Sequence, residues 1–539
     1  MAANRSPEGR QGVGDVSYSL PGAPGELPRG EQRLRDDTRL RWICLGLVGA
    51  TLGLVLFALL RSPMKDDVAW LLWVARQWLR GEELYIDIVE VNPPLIVWVS
   101  AIPVMIADAL GLTAKQVALP LFAAAALGSA WGTARLLRGV APLFAQPVAT
   151  FAAIACVLLA MPGVEFGQRE HLMVIAVLPH LALLVRKLEG LPVRRGLALG
   201  AGALAGLGCA LKPRYLLGLA VIELAGWLHR GFRIRFSPIA AFAVAGLYAA
   251  SILVFYPAFV ERAVPLALTL YGGTDSSFWV LLRESRLLLA GLAVCALLLA
   301  VTPRRDPLFS LLLVLTGFAA AATIVMFLDG KNWFYHRIPA LMMVTFALLC
   351  WVIEALRRGA GAARLRPVLL LAALAPLTLF AAQTSGRLYE RLVLAVEPDT
   401  TTEVRLERLI RREKVRSYVA FSEWIGLGFP VINDTNVTWA SRFDSMWALR
   451  GEIWKARQDG VAPEEWPIRH WVVQDFMEGC PDLVVVDRRG EAMNYPAILS
   501  QANAGFAAVW ARYRQIAVVD GLQVYRRQGE GCGQAAGTG

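Results

Sequence analysis

The chain has 539 residues, of which 56% are hydrophobic and only 18% are charged. Soluble domains carry about 25% charged residues, so this composition excludes an ordinary soluble protein and indicates a membrane protein. A net charge of +11 would suggest a nucleic-acid partner for a soluble protein. Here the arginines lie mainly between apolar windows, where they indicate membrane topology, and no nucleic-acid partner is predicted.

The N-terminal segment, residues 1–40, is predicted to be a disordered cytoplasmic tail. Its first 30 residues are rich in Gly, Pro, Arg and Ser and contain few large apolar side chains, a composition that cannot form a core. The first apolar stretch begins near Arg41 and is too long for the apolar part of a signal peptide. We therefore expect it to remain as a membrane anchor.

Residues 41–385 are predicted to form a transmembrane helical module. Basic connectors, which the positive-inside rule places in the cytoplasm, occur at 29–41, 186–195, 229–237, 303–307 and 357–366. The connectors between them are expected to face outward, at 61–94, 161–171, 212–214, 257–285, 329–337 and after about 384. Three apolar windows lie between the first two outward connectors, where an even number of crossings is required, so one must be re-entrant, partial or misread. The count is about 11 to 13 spans.

The remaining residues, 386–539, are predicted to form an extracytoplasmic α/β domain. Short apolar runs such as PDLVVVD alternate there with helix-like segments such as 444–457, as in small α/β domains. Cys480 and Cys532 are the two cysteines of this part. In an exported domain they would either form a disulfide or remain two free thiols.

The first outward connector contains an amphipathic segment with tryptophans on one face, and such segments suit the membrane interface. Asp66 and Asp67 begin this segment directly after the first span. A carboxylate held at the membrane surface can act as a general base on an acceptor hydroxyl. The alternative is that both acids only cap the helix, where the free amides favour negative charge.

A family resemblance favours the chemical interpretation. The residues that carry it are Asp66-Asp67, Ala75-Arg76, Gly81-Glu82, Tyr85, Asp87 and Pro93-Pro94-Leu95. This run resembles the first extracytoplasmic loop of GT-C glycosyltransferases of the protein O-mannosyltransferase and lipid A aminoarabinose transferase type. The resemblance implies the GT-C fold and a polyprenyl-phosphate-linked sugar as donor. It also implies an inverting displacement, for which Asp66 is the first choice of base and Asp67 the second.

The second outward connector places acidic and basic side chains at a membrane boundary, namely Glu165, Arg169, Glu170 and His171. The resemblance implies a second acidic loop near the catalytic centre of such enzymes, where carboxylates help to bind a divalent ion or the donor. Carboxylate and imidazole ligands suit Mn²⁺ or Zn²⁺. The hypothesis is therefore a divalent metal ion (Mg, Mn or Zn) held by Asp67, Glu170 and His171. The alternative is a solvated loop end.

Two further outward segments carry cations against the positive-inside bias. They supply Lys212, Arg214, Lys331, His336 and Arg337. Such cations give the charge-assisted hydrogen bonds that phosphate oxygens accept, so these residues are predicted to bind the donor phosphate. The second segment also resembles the Lys-x-x-x-Tyr-x-x-Pro start of a late span in these transferases. The alternative is that the long side chains only reach the lipid headgroups.

The sequence therefore predicts a multi-pass glycosyltransferase of the cytoplasmic (inner) membrane, with its N-terminus in the cytoplasm. Its partners would be the polyprenyl-phosphate-linked donor, a lipid, glycan or protein acceptor, and membrane lipids. A transporter or flippase of a lipid-linked saccharide is the alternative, since it too would have many spans and outward cations. A non-catalytic assembly subunit is a third hypothesis.

Overall fold

A computed structural model of the chain describes residues 29–359, 365–460, 465–490, 492–529 and 532. The N-terminal 28 residues of the predicted tail lie outside this set. Residues 29–40, which the sequence assigned to the same tail, are helical, because α1 begins at Arg29. Adding residues to an existing helix is favourable once the first turn has formed, so the apolar helix extends into this polar segment.

The first part of the chain is a bundle of helices. The helices are α1 (Arg29–Arg61), α2 (Asp66–Leu79), α3 (Pro94–Leu110), α4 (Ala114–Leu137), α5 (Pro147–Ala160), α6 (Arg169–Leu188), α7 (Arg195–Ala210), α8 (Leu216–Arg230), α9 (Phe236–Phe255), α10 (Val264–Leu270), α11 (Phe278–Glu284), α12 (Arg286–Val301), α13 (Pro307–Asp329), α14 (Ile338–Arg357) and α15 (Arg366–Val396). Among the described residues, seven helices are long and apolar enough to cross a membrane. The bent pair α11–α12 would make eight, and α3, α5 and α7 are shorter apolar helices.

The C-terminal part is a small α/β domain on a five-stranded sheet. Its strands are β1 (Ser417–Phe421), β2 (Thr438–Trp439), β3 (Leu483–Val486), β4 (Tyr513–Val519) and β5 (Leu522–Arg527), and its helices are α16 (Thr402–Arg412), α17 (Val431–Thr435), α18 (Trp447–Asp459), α19 (Ile468–Gly479), α20 (Tyr495–Ala502) and α21 (Ala504–Trp510). The strand order is β2-β1-β3-β5-β4. β1 pairs parallel with β2 and with β3. β5 pairs antiparallel with β3 on one side and with β4 on the other.

The domain begins later than the sequence predicted. The last apolar window ended near residue 385, but α15 continues to Val396, because a helix can extend past the apolar stretch when its polar side chains find partners. Arg391, in the extension, donates to the main-chain oxygen of Pro63 at 2.9 Å. Of the two alternatives for the cysteines, the structure has the Cys480–Cys532 disulfide.

The α/β domain lies on one end of the bundle, called here the domain end. The main-chain N–H of Val89 donates to the carbonyl of Arg442 at 2.9 Å. The side-chain amide of Asn433 donates to the carbonyl of Ala69 at 3.0 Å. These bonds join α2 and the loop after it to the segment around β2, so the first outward connector and the α/β domain form one interface.

Helix α3 accounts for the odd number of windows between residues 95 and 161. Near its start, the indole of Trp98 donates to the hydroxyl of Tyr256 at 2.9 Å. Near its finish, Asp108 pairs with Arg76 of α2 at 2.8 Å. Since α2 and Tyr256 both lie at the domain end, α3 starts and finishes there. Only α4 and α5 then run between the two ends of the bundle, which satisfies the even count.

Helices α7 and α9 approach each other through small residues. Gly202 and Gly206 face α9, and a Cβ on either would overlap a main-chain oxygen, that of Ser237 or of Ala241. Small residues four positions apart allow such close backbone contact between helices in a membrane. Gly200, on the same helix, has no atom of a neighbour within 4 Å of the position of a Cβ.

We expect Gly206→Ala to destabilise the protein by about 1–3 kcal/mol, since an added methyl group must push α9 away. Gly200→Ala is the matched control and should be neutral or slightly stabilising, because Ala favours helix. The thermal midpoint of the full chain in detergent measures both. Equal midpoints for the two variants would contradict this packing.

Candidate active site

The acidic pair is fixed at the start of α2. Asp66 and Asp67 form its first turn, where unpaired main-chain N–H groups favour negative charge. The main-chain N–H of Asp67 donates to Asp66 Oδ1 at 2.9 Å. The ammonium group of Lys65, the preceding residue, lies 2.9 Å from the same oxygen. One oxygen of Asp66 therefore accepts a hydrogen bond from a main-chain N–H and pairs with an ammonium group.

The second outward connector reaches the same place. Gln168 donates from Nε2 to Asp67 Oδ2 at 2.8 Å, and Glu165 Oε2 lies 3.8 Å from Lys65 Nζ. The connector can pass this closely because residue 167 is a glycine with φ +89, a conformation that side chains disfavour. A Cβ on Gly167 would also lie 2.9 Å from the ring of Phe122.

A cavity of about 530 Å³ opens in front of these groups. The bundle contributes Asp66, Asp67, Glu165 and Arg169, with aromatic walls from Tyr271 and Trp333. The α/β domain closes the cavity from the other side, with Glu423, Trp424, Asp444 and Arg450. The space is therefore a chamber between the two parts of the chain, and Asp66, Asp67, Glu165 and Arg169 are the predicted site residues that line it.

Burial changes the ionisation of the carboxyl groups around the cavity. It raises the pKa of Glu165 to about 7, against the attraction of Lys65. Burial and the charge of Asp66 raise the pKa of Asp67. Burial, with the charges of Glu90 and Asp67, raises the pKa of Asp444 to about 8. Burial alone would lower the pKa of Lys65, but the three carboxylates around it raise that pKa. The carboxyl groups of Asp66, Asp67 and Glu165 thus share the single ammonium group of Lys65.

Three predicted phosphate ligands, Lys212, Arg214 and His336, form a separate cluster, called here the Lys212 cluster. Lys212 lies 2.7 Å from Glu170 Oε1, 3.6 Å from Asp329 Oδ2 and 3.2 Å from His336 Nε2. Arg214 pairs with Asp329. These cations do not line the cavity of the acidic pair, and their charges are balanced by Glu170 and Asp329.

The other two predicted phosphate ligands are engaged elsewhere. Lys331 donates to the carbonyl of Tyr271 at 2.6 Å and also pairs with Asp275. Arg337 donates to Ser285 Oγ at 3.2 Å and bonds to Asn332. Lys331 therefore links the loop at 330–337 to residues 271–275, and Arg337 links the same loop to Ser285. The structure therefore does not bring the five predicted cations together as one site.

Arg169 differs from every cation in that prediction. It is 7% exposed and lines the cavity beside Asp67. Among the described residues it has no acidic group within 4 Å, and its Nε atom has no hydrogen-bond partner. The charges of Glu170, Asp67 and Glu90 act on this guanidinium from beyond 4 Å. Its Nε, which none of them binds, remains available to an oxygen of an anion that enters the cavity.

His171 is placed away from the predicted metal site. Its Nδ1 accepts a hydrogen bond from the N–H of Gly167 at 3.2 Å, and its Nε2 lies 2.9 Å from the carbonyl of Leu158. Neither ring nitrogen is free to bind an ion. Within the part of the chain that the structure describes, no three His, Cys, Asp or Glu side chains form a metal-binding group. Asp67, Glu170 and His171 thus do not fit a metal, and no chemical step is assigned to one.

No protein-family model matches the chain, and no curated protein matches it. The functional argument therefore depends on the cavity and its residues.

Several polar residues that line the cavity were not identified from the sequence, among them Lys65, Glu90 and Asp444. Asp444 lies in the α/β domain, nearly 380 residues after the acidic pair, and nothing in the sequence around it marks a site. Glu90 is 2% exposed and accepts hydrogen bonds from the indole of Trp70 at 2.5 Å and from Asn92 Nδ2 at 2.6 Å. Its place two residues before the Asn-Pro-Pro sequence was the available signal.

The raised pKa of Asp444 predicts how stability changes with pH. Because the folded protein binds this proton more tightly than the unfolded chain does, the stabilisation is complete only below the unfolded pKa, which is about 4. It is lost progressively as pH rises to about 8, the pKa in the folded protein. We expect the thermal midpoint to fall between about pH 4 and 8, and Asp444→Asn to reduce that fall by about 3 °C. Asp399→Asn, at the surface, is the control. An unchanged slope in Asp444→Asn would contradict the burial of this carboxyl.

Proposed function

We propose that this protein is a glycosyltransferase that moves a sugar from a polyprenyl-phosphate donor to an acceptor at the outer face of the membrane. The observation that carries the proposal is that one cavity at the end of an apolar bundle contains both the half-buried carboxylate of Asp67 and the guanidinium of Arg169. The Nε of this guanidinium has no hydrogen-bond partner among the described residues. Glycosyl transfer from a phosphate needs a base for the acceptor hydroxyl and a cation for the departing phosphate. Asp67 and Arg169 supply these two groups.

The contacts favour Asp67 over Asp66 as the base, the reverse of the order expected from the sequence. One oxygen of Asp66 is bound to Lys65 at 2.9 Å and accepts from the N–H of Asp67, so it is already occupied. Asp67 is 4.0 Å from Lys65 and accepts from the neutral amide of Gln168. Burial and the charge of Asp66 raise the pKa of Asp67, which makes the Asp67 carboxylate a more effective proton acceptor.

In the proposed reaction the acceptor oxygen attacks the anomeric carbon from the face opposite the phosphate. The hydroxyl proton passes to Asp67 as the new carbon–oxygen bond forms. The bond from the anomeric carbon to the phosphate oxygen breaks, and its electron pair remains on the phosphate, next to Arg169. One displacement inverts the configuration at that carbon. A guanidinium already in place stabilises this charge without reorganisation.

The polyprenyl chain of the donor would lie among the apolar helices, with its phosphate at the domain end. We propose that the Lys212 cluster, Lys331 and Arg337 act at longer range, through the positive potential they add and the loops they hold. A divalent ion stays a hypothesis. Transfer measured in EDTA, with and without added Mg²⁺ or Mn²⁺, tests it.

We propose that the domain end faces away from the cytoplasm in the inner membrane. The Lys/Arg-rich connectors 186–195, 229–237 and 303–307 lie at the opposite end of the bundle from the acidic pair, in line with the positive-inside rule. The Cys480–Cys532 disulfide of the α/β domain suits an oxidising compartment.

We expect Asp67→Asn to lower transfer of radiolabelled sugar from polyprenyl-phosphate donors by about 10²–10⁴-fold, since a lost general base has effects of this size. Asp66→Asn should have a smaller effect, and Asp108→Asn, 57% exposed near the same interface, should have none. Purified protein, a panel of donors and membrane extracts as acceptor provide the assay. If no donor is used but lipid-linked saccharide crosses reconstituted vesicles, the protein is a transporter and the acidic pair caps α2.

We expect Arg169→Lys to raise the KM for the donor about tenfold or more, because an ammonium group cannot reproduce the two-point contact of a guanidinium with phosphate. Arg214→Lys is the matched control, since Arg214 is 59% exposed and paired with Asp329. Initial rates over a range of donor concentrations separate KM from kcat. A stronger effect in the Arg214 variant would move the phosphate site to the Lys212 cluster.

A further inference from the structure

A second and larger cavity, of about 1080 Å³, adjoins the first. Its walls include α2, the loop at 82–90, the segment 261–266 and two segments of the α/β domain, 432–442 and 465–479. Val89 and Glu90 line both cavities. A molecule bound in the larger cavity would therefore have one end near the acidic pair.

The walls combine indole rings with polar groups. Trp73, Trp439, Trp466 and Trp471 line the cavity, and the rings of Trp466 and Trp471 lie 6.2 Å apart at 76°. Trp466 is 5% exposed, yet among the described residues its Nε1 has no hydrogen-bond partner. Buried indole N–H groups are normally paired, so this donor is available to a ligand.

Arg442 is held in a fixed position on the same wall. Its Nε and its main-chain N–H each donate to Asp475 at 2.8 Å, and its guanidinium lies 5.7 Å from the centre of the Trp471 ring. The result is a rigid surface in which an aromatic face alternates with hydrogen-bonding groups. Sites of this kind orient a ligand through a small number of placed polar groups.

The chemistry of the walls limits the ligand. An apolar chain would leave the buried polar groups unpaired, which is unfavourable. Seven carboxylates and four guanidiniums line the cavity among the described residues, so an anionic ligand would be repelled. Sugar rings fit these walls, because their C–H faces pack on indole and their hydroxyls both donate and accept hydrogen bonds.

We infer that this cavity binds the acceptor and that the acceptor is a neutral saccharide. The inference rests on the proposed function and adds the acceptor class, which the sequence left as lipid, glycan or protein. Trp466 donates to a sugar hydroxyl, Trp471 packs on a ring, and the terminal hydroxyl extends past Glu90 toward Asp67.

The test is binding of the labelled full-length protein, in detergent, to an array of neutral and acidic oligosaccharides. We expect wild type to bind neutral members, and Trp466→Phe, which keeps the ring and removes the N–H, to bind at least tenfold more weakly. Trp279→Phe, 74% exposed on α11, is the control. Wild-type binding to acidic members only, to no member, or equal binding by Trp466→Phe would each overturn the inference.

A second variant keeps the test decisive if Trp466→Phe does not fold. Glu478→Lys changes the charge of an exposed residue at the cavity, and it should admit acidic oligosaccharides that wild type rejects. Unchanged selectivity would count against the inference. Hydrolysis of the donor in the absence of acceptor, compared between wild type and Asp67→Asn, reports on the proposed function alone, so the two failures are distinguishable.

Discussion

The ammonium group of Lys65, among the carboxylates of Asp66, Asp67 and Glu165, is the interaction on which the site depends. The buried Glu165 and the half-buried Asp66 and Asp67 would repel one another at this spacing and would each lose hydration. A single cation between them reduces both costs. It also ties the connector before α2 to the connector before α6, about 100 residues later. The geometry of the acidic pair is therefore a property of the assembled bundle.

The charged groups at the domain end are of two kinds, those that form ion pairs with one another and those that do not. Lys212, Asp329, Glu170 and His336 neutralise one another, and Lys331 has Asp275. Arg169 is close to these groups but has no acid within 4 Å among the described residues. The charges of Glu170, Asp67 and Glu90 reach it from a greater distance, but its Nε has no hydrogen-bond partner in the described part of the chain. The guanidinium therefore keeps hydrogen-bonding capacity for a ligand, which makes Arg169 more informative than the cations that are already paired.

The α/β domain covers the site on the side opposite the bundle. It closes the first cavity with Asp444 and Trp424, and it forms one wall of the second with Arg442 and Trp471. Covering the site with protein lowers the local dielectric constant. The attraction between the proposed donor phosphate and a guanidinium is then stronger than it would be in water. The main-chain hydrogen bond from Val89 to Arg442 joins the α/β domain to the loop that follows α2.

The sequence by itself determined the membrane class, the α/β domain at the C-terminal end and the position of Asp66 and Asp67 at the start of a helix. These features follow from local composition and periodicity, which any stretch of chain carries on its own. It also identified Glu165 and Arg169, because charges at a membrane boundary are conspicuous. Only the tertiary structure decided which charges meet. Partners such as Lys65 and Glu165, Lys212 and Glu170, or Asp444 and the acidic pair are far apart in sequence. Whether a buried cation is paired or free depends on distances that no local pattern contains.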